Sequence, residues 1–410
     1  SRASSVSKLR ARLLTSWAAG IMLAASLLFI GLLTGCQQNG SSSGGGNSKP
    51  ANSAIFKTDG NGTIIGCTCE KNKLPPNLVI PDKIGDEVIK KIGWRAFANC
   101  EGLKSIDFSA CTKLNEIKVG AFDRCTGLKQ LILPESLTTI GMEAFRHCPI
   151  ETLCINSDIE SYYPPGDKTA WLNEDSIREN LKTLKLGRGI TTILYPAFKD
   201  CKNLTSITLS ENLTEISYGA FEGCIGLTSI TLPENLAKIR DRAFKDCTGL
   251  NGTIVFPANI ETIYGDINYS DSGAFRNCIN LQGLDFSACK NLTFMPEYAF
   301  YGCKALSEVK LPENIDVIGI NTFEDCIALQ NITLPANLTS IKANAFKGCT
   351  NLTSVVFKNT QNWKVYDNYN CTELHKYIHK NYLRDAAYAA KFLREDDNNG
   401  GYSNKHWKRN

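Results

Sequence analysis

Apolar residues return along this chain at a fixed interval. Between Cys201 and Cys224 they stand at Leu204, Ile207, Leu209, Leu213, Ile216, Ala220 and Phe221, with polar residues between. The next copy begins at Cys224 and the one after at Cys247, a period of 23 residues. Reduced to what repeats, the unit is C-x-x-L-x-x-I-x-L-P-x-x-L-x-x-I-x-x-x-A-F-x-x-C. Self-similarity at such a period predicts a solenoid, in which each unit buries its apolar face against its neighbours. Ile207 and Leu209 alternate with Ser206 and Thr208, the two-residue period of a short strand with one buried face. Pro233, Pro312 and Pro335 close equivalent strands, because proline has no N–H for a ladder. Leu213 and Ile216 form a second inward pair, and Ala220-Phe221 fills the turn. Stacking at about 4.8 Å puts each apolar residue over its counterpart.

The aromatic of the turn recurs at Phe97, Phe122, Phe145, Phe198, Phe221, Phe244, Phe275, Phe300, Phe323 (after Thr322 instead of Ala) and Phe346. Two steps are 25 residues long and share a variant, Phe108-Ser-Ala-Cys111 and Phe286-Ser-Ala-Cys289, which adds two residues after the strand. Two larger departures interrupt the array. One carries Tyr162, Tyr163 and Trp171; the other follows Ile263 and carries Tyr264 and Tyr269. Both fall at the same point of the repeat, so both are expected on one edge. Insertions at one repeat position mark a binding side, although surface loops also tolerate added length.

Strand candidates at Ile64-Ile65, Leu78-Val79-Ile80 and Val88-Ile89 suit an atypical first unit. After the array, 362–366 reads as a last strand and 373–393 as a helix, with Leu383, Ala386, Ala387, Ala390 and Leu393 at helical spacing. Such a helix would cover the open edge of the last unit.

Charge changes the picture only by its position. Arg2, Lys8, Arg10 and Arg12 account for the formal net charge of +4, and the chain beyond them is balanced. That gives no electrostatic case for a nucleic-acid partner. Ten of the 17 cysteines occupy one slot of the repeat, among them Cys201, Cys224 and Cys247. Adjacent units bring such residues within disulfide range, but stacked side chains point in parallel, which favours buried free thiols.

The first bases precede an apolar run from Leu13 to Leu33. That run is long enough for a retained anchor. Its end, Leu33-Thr34-Gly35-Cys36, resembles the bacterial lipobox. The resemblance implies cleavage before Cys36 and lipidation of that residue, with two or three chains giving stable anchoring. A Gly/Ser-rich tether follows. The chain divides into a signal peptide at 1–35, lipidated Cys and tether at 36–53, an N-terminal cap and first unit at 54–99, repeats at 100–357 and a C-terminal cap at 358–410.

No catalytic constellation is visible. His375 and His379 stand four apart with Cys371 four before, but Lys376 occupies the place of the glutamate in a zinc-protease motif. Cys67-Thr-Cys69 lacks a second ligand pair. No cofactor fingerprint appears, and neither a metal nor a cofactor is expected. Asn203-Leu-Thr205 and Asn337-Leu-Thr339 look like glycosylation acceptors but belong to the repeat itself.

The slots Leu204, Ile207, Leu209, Leu213, Ile216, Ala220-Phe221 and Cys224 are similar to the BspA-like leucine-rich repeats of bacterial surface proteins. The tail, with Ala386-Ala387, Phe392-Leu393 and Trp407-Lys408-Arg409, resembles the C-terminal cap of treponemal members. The resemblance implies a β-rich leucine-rich-repeat solenoid with little helix. It also implies adhesion, without catalysis, to host matrix or cell-surface proteins or to other bacteria. The lipid anchor would hold the protein in the outer membrane or at the cell surface. The expected ligand-binding residues are Tyr162, Tyr163, Trp171, Tyr264 and Tyr269 of the insertions. To these are added the outward strand positions Ser206, Thr208, Ser229, Thr231, Glu308, Lys310, Asn331 and Thr333. An envelope scaffold with no host ligand is the other reading.

Overall fold

Each repeat folds as one turn of a β-solenoid, and the inward slots form columns. In the first ladder, Leu78, Ile106, Leu131, Leu153, Leu184 and Ile207 pair in parallel register on successive strands. In a second ladder of two-residue strands, Ile64, Ile92, Ile117 and Ile140 stack in the same way. Ile193, Ile216, Ile239 and Ile263 continue it, followed by Met295, Ile318 and Ile341. The array has about 12 turns and little helix. The computed structural model describes residues 53–161, 172 and 175–409.

The core is a column of phenylalanines. Phe198, Phe221, Phe244, Phe275, Phe300, Phe323 and Phe346 stack with ring centroids 5.0–5.6 Å apart and planes within 18°. Aromatic pairs on their own favour offset or edge-on contact; here strand spacing sets the distance. The variant residues Phe108 and Phe286 meet this column edge-on, against Phe122 and Phe300.

The turn around each Phe contains a feature the apolar pattern did not report. Its backbone enters the left-handed region just before the Cys, as at Asn99, Asp200, Asp246 and Asp325, with φ between 59° and 63°. Asn and Asp tolerate that region better than other non-glycine residues. The repeat cysteines are more than filler. Their Sγ atoms donate to the Phe carbonyl of the preceding turn, as from Cys224 to Phe198 at 3.1 Å and from Cys247 to Phe221 at 3.0 Å. The repeat asparagines act similarly, with Asn337 Nδ2 donating to the Glu313 carbonyl at 3.1 Å. That supports reading this triplet as repeat chemistry.

Two expectations need correction. Ser229 and Thr231 are exposed, but 229–231 is not a strand. The following turn holds one more residue between Leu250 and Ile254, and Gly252 there takes φ +72°. Pairing resumes only beyond it, at Gly252–Val255. At the C-terminus, 373–393 is not one helix. Leu374–Tyr377 is a strand, antiparallel to Trp363–Tyr366. Two helices follow an earlier α1 (Asp175–Asn180): α2 (Lys380–Arg384) and α3 (Ala386–Arg394). Asp385 divides them, accepting from the backbone N–H groups of Ala387 and Tyr388. The last strand, His406–Arg409, pairs antiparallel with Ser340–Ile341 and closes the second ladder. Trp363, Trp407 and Phe357 pack beneath it.

Candidate functional site

The outward strand face carries most of the expected residues. Ser206, Thr208, Glu308, Lys310, Asn331 and Thr333 are exposed on their strands. Lys310 is already engaged, with Nζ 3.1 Å from Asp285 and 3.3 Å from Glu308. Those contacts raise the Lys310 pKa. Cys36, Tyr162, Tyr163 and Trp171 lie outside the described residues.

A second surface runs along the edge beside the phenylalanine column. Two residues before four of the Ala-Phe pairs the side chain is exposed, at Trp94, Met142, Tyr195 and Tyr218. Trp94 is 68% exposed, which places a large apolar face in solvent at the first turn. Tyr195 and Tyr218 meet edge-on at 5.2 Å. Sequence reasoning missed this row, although its signal was present as a constant offset from Ala-Phe.

The second insertion joins the same edge. Arg242 lies over the Tyr218 ring at 5.4 Å, and Arg240 over Tyr264 at 4.3 Å. Glu215 fixes Arg240 through two hydrogen bonds, 2.8 and 3.3 Å long, and these raise the Arg240 pKa. The insertion is tied to the array. Ser272 Oγ and the Gly273 N–H donate to Asp241 at 2.7 and 2.6 Å. Asp271 pairs with Lys245 at 2.8 Å and with Arg242 at 3.5 Å. Burial opposes the charge on Lys245, but its carboxylate neighbours outweigh burial and raise its pKa. Gly265 lets the insertion cross the next turn, since a Cβ there would sit 1.8 Å from the Glu297 carbonyl oxygen.

The result is a cleft of about 540 Å³ lined by Tyr218, Arg242, Tyr264, Asp266, Tyr269 and Glu297. Tyr269 stands at its rim, 61% exposed. Tyrosine and arginine held rigidly around a concavity are the side chains that anchor protein interfaces.

The other candidate chemistry does not assemble. His375 lies on a strand, 3.2 Å from Asp367, and His379 caps α2 by accepting from the Asn381 N–H. The expected helical spacing of these histidines is therefore replaced by a strand and a cap. Among the described residues, no group of three His, Cys, Asp or Glu side chains could hold a metal. Burial pushes the Cys201 thiol up to about 12 and, with Asp82 and Asp107 adding to it, does the same to Cys111. Such thiols are poor nucleophiles. No helix among the described residues is long and apolar enough to cross a membrane.

A family model described as the BspA type leucine rich repeat region matches in six copies, over residues 73–164, 176–270 and 268–388. A comparison with curated proteins finds no match. Among solved structures, the chain is similar to a leucine-rich repeat protein from Bacteroides ovatus, with 27% identity and a TM-score of 0.40; the match covers 73% of this chain and 85% of that one. It is also similar to a leucine rich cell surface protein from Faecalibacterium prausnitzii, with 20% identity, coverage of 82% and 100%, and a TM-score of 0.32. The leucine rich repeat protein of T. pallidum is 18% identical, with coverage of 73% and 88% and a TM-score of 0.29.

Proposed function

Because the chain belongs to the BspA type leucine-rich repeat family, we propose that it is a non-enzymatic, lipid-anchored surface protein that binds other macromolecules. The cleaved signal peptide would be 1–35, Cys36 the lipidated residue, and 37–53 the tether that holds the array off the membrane. The partners are host matrix or cell-surface proteins, or proteins of other bacteria. The observation that carries this reading is the tyrosine and arginine cleft at the second insertion, continuous through Tyr218 with Tyr195. The outward strand face, with Ser206, Thr208, Asn331 and Thr333, adds weak repeated contacts. Many copies on one cell convert weak contacts into avidity.

The test is protease shaving of intact cells followed by blotting, then adhesion of cells to immobilised matrix proteins. Loss of the blot signal is expected, with adhesion reduced at least fivefold in cells carrying Y264A/Y269A. Full protection from protease would reject surface binding and leave the envelope scaffold.

A further inference from the structure

The charges around the cleft do not balance. Asp241 is consumed by Ser272, Gly273 and Arg242. Arg242, the cation of the cleft, also pairs with Asp271. Among the described residues, the Asp266 carboxylate accepts only from Asn268, within its own insertion. Glu297 is 8% exposed and accepts no hydrogen bond or ion pair from any other described residue. Lys342 is felt by Glu297 only at a distance, and its ammonium lies over the Tyr369 ring at 4.5 Å. Two carboxylates therefore line the cleft without a cation of their own.

The aromatic rim divides in the same way. Tyr264 and Tyr218 each carry an arginine on the ring. Among the described residues none lies over Tyr269, and it is the most exposed of the three. A buried carboxylate whose hydrogen bond comes only from its own backbone N–H is costly, and burial raises the pKa of Glu297 accordingly. A cation entering the cleft would meet Glu297, Asp266 and the ring of Tyr269, all of which line it. Planar guanidinium groups suit both contacts, by charge-assisted hydrogen bonding and by stacking.

We infer that this cleft receives an arginine side chain of the partner protein, held between Tyr269 and the carboxylates of Glu297 and Asp266. The inference rests on the reading that this edge binds a macromolecule, and it names the chemistry of that partner. The partner's contact segment is basic, and the arginine is its anchor. Lysine fits the charge but not the bidentate and stacking geometry, so it binds more weakly.

The test is fluorescence anisotropy with the full chain and three labelled peptides, Gly-Gly-Xaa-Gly-Gly, in which Xaa is arginine, lysine or citrulline. Citrulline keeps the shape of arginine and removes its charge. The arginine peptide is expected to bind at least tenfold tighter than the citrulline peptide, with lysine between them. E297Q and D266N should each reduce arginine binding at least fivefold, with far-UV circular dichroism unchanged. Y269A alters an exposed side chain and should weaken binding about threefold without affecting folding. Equal affinity for arginine and citrulline, or full arginine binding in the E297Q/D266N double variant, overturns the inference. If the arginine peptide binds but intact cells show no adhesion, the surface-binding function fails alone. If Y264A/Y269A weakens adhesion while arginine and citrulline peptides bind equally, the arginine assignment fails alone.

Discussion

Phe221→Ala tests the claim that the aromatic column holds the array together. Phe221 is fully buried between Phe198 at 5.6 Å and Phe244 at 5.4 Å, with planes 11° and 12° apart. Truncation removes the buried ring and leaves a cavity that the rigid ladders on either side cannot close. Phe→Ala changes at such sites cost about 3–5 kcal/mol. Of this, about 0.5–1.5 kcal/mol belongs to each ring pair. Phe221→Leu keeps most of the volume and should cost about 1–1.5 kcal/mol. In a solenoid each turn touches only its neighbours. Phe221→Ala and Phe323→Ala should therefore add, whereas Phe221→Ala and Phe244→Ala share one ring pair and should not. The assay is urea unfolding followed by far-UV circular dichroism, with amide hydrogen exchange to localise the loss to 198–247. A cost below about 1 kcal/mol for Phe221→Ala, or full additivity of the neighbouring pair, would refute the column as the main source of cohesion.

Two further outcomes follow from buried titratable groups. His406 has a pKa lowered to about 4 by burial, with Lys342 adding to the effect, and its Nδ1 accepts from the Ala343 N–H. The unfolded chain binds the proton more readily, so stability is present above about pH 6.5 and is lost as pH falls toward 4, by up to about 3 kcal/mol. The protection factors of amides in His406–Arg409, with the intrinsic pH dependence of exchange divided out, should fall between pH 7 and pH 4.5; in H406Q the fall should disappear. The thiols give a second readout. At pH 8, alkylation followed by mass spectrometry should label Cys69 and Cys371, which are partly exposed, before any repeat cysteine. Comparable labelling of Cys224 or Cys247 in the native protein would contradict their burial and raised pKa.

The repeat itself determined the solenoid and its inward columns. A fixed period reports stacking, because every turn faces the same neighbour and selects the same side chains. The variants at Phe108 and Phe286 were legible for the same reason. Contacts between residues far apart in the chain were not legible. Nothing local to Leu374–Tyr377 distinguishes a strand from a helix; its pairing with Trp363–Tyr366 decides it. Nothing near 229–231 signals that these residues do not form a strand. The sulfur-to-carbonyl bonds needed the Phe of one turn placed against the Cys of the next. The cleft also needed the tertiary structure. Tyr264 and Tyr269 were visible in the sequence, but stacking alone brings Tyr218 from one turn, Arg242 from the next and Glu297 from beyond the insertion around a single cavity.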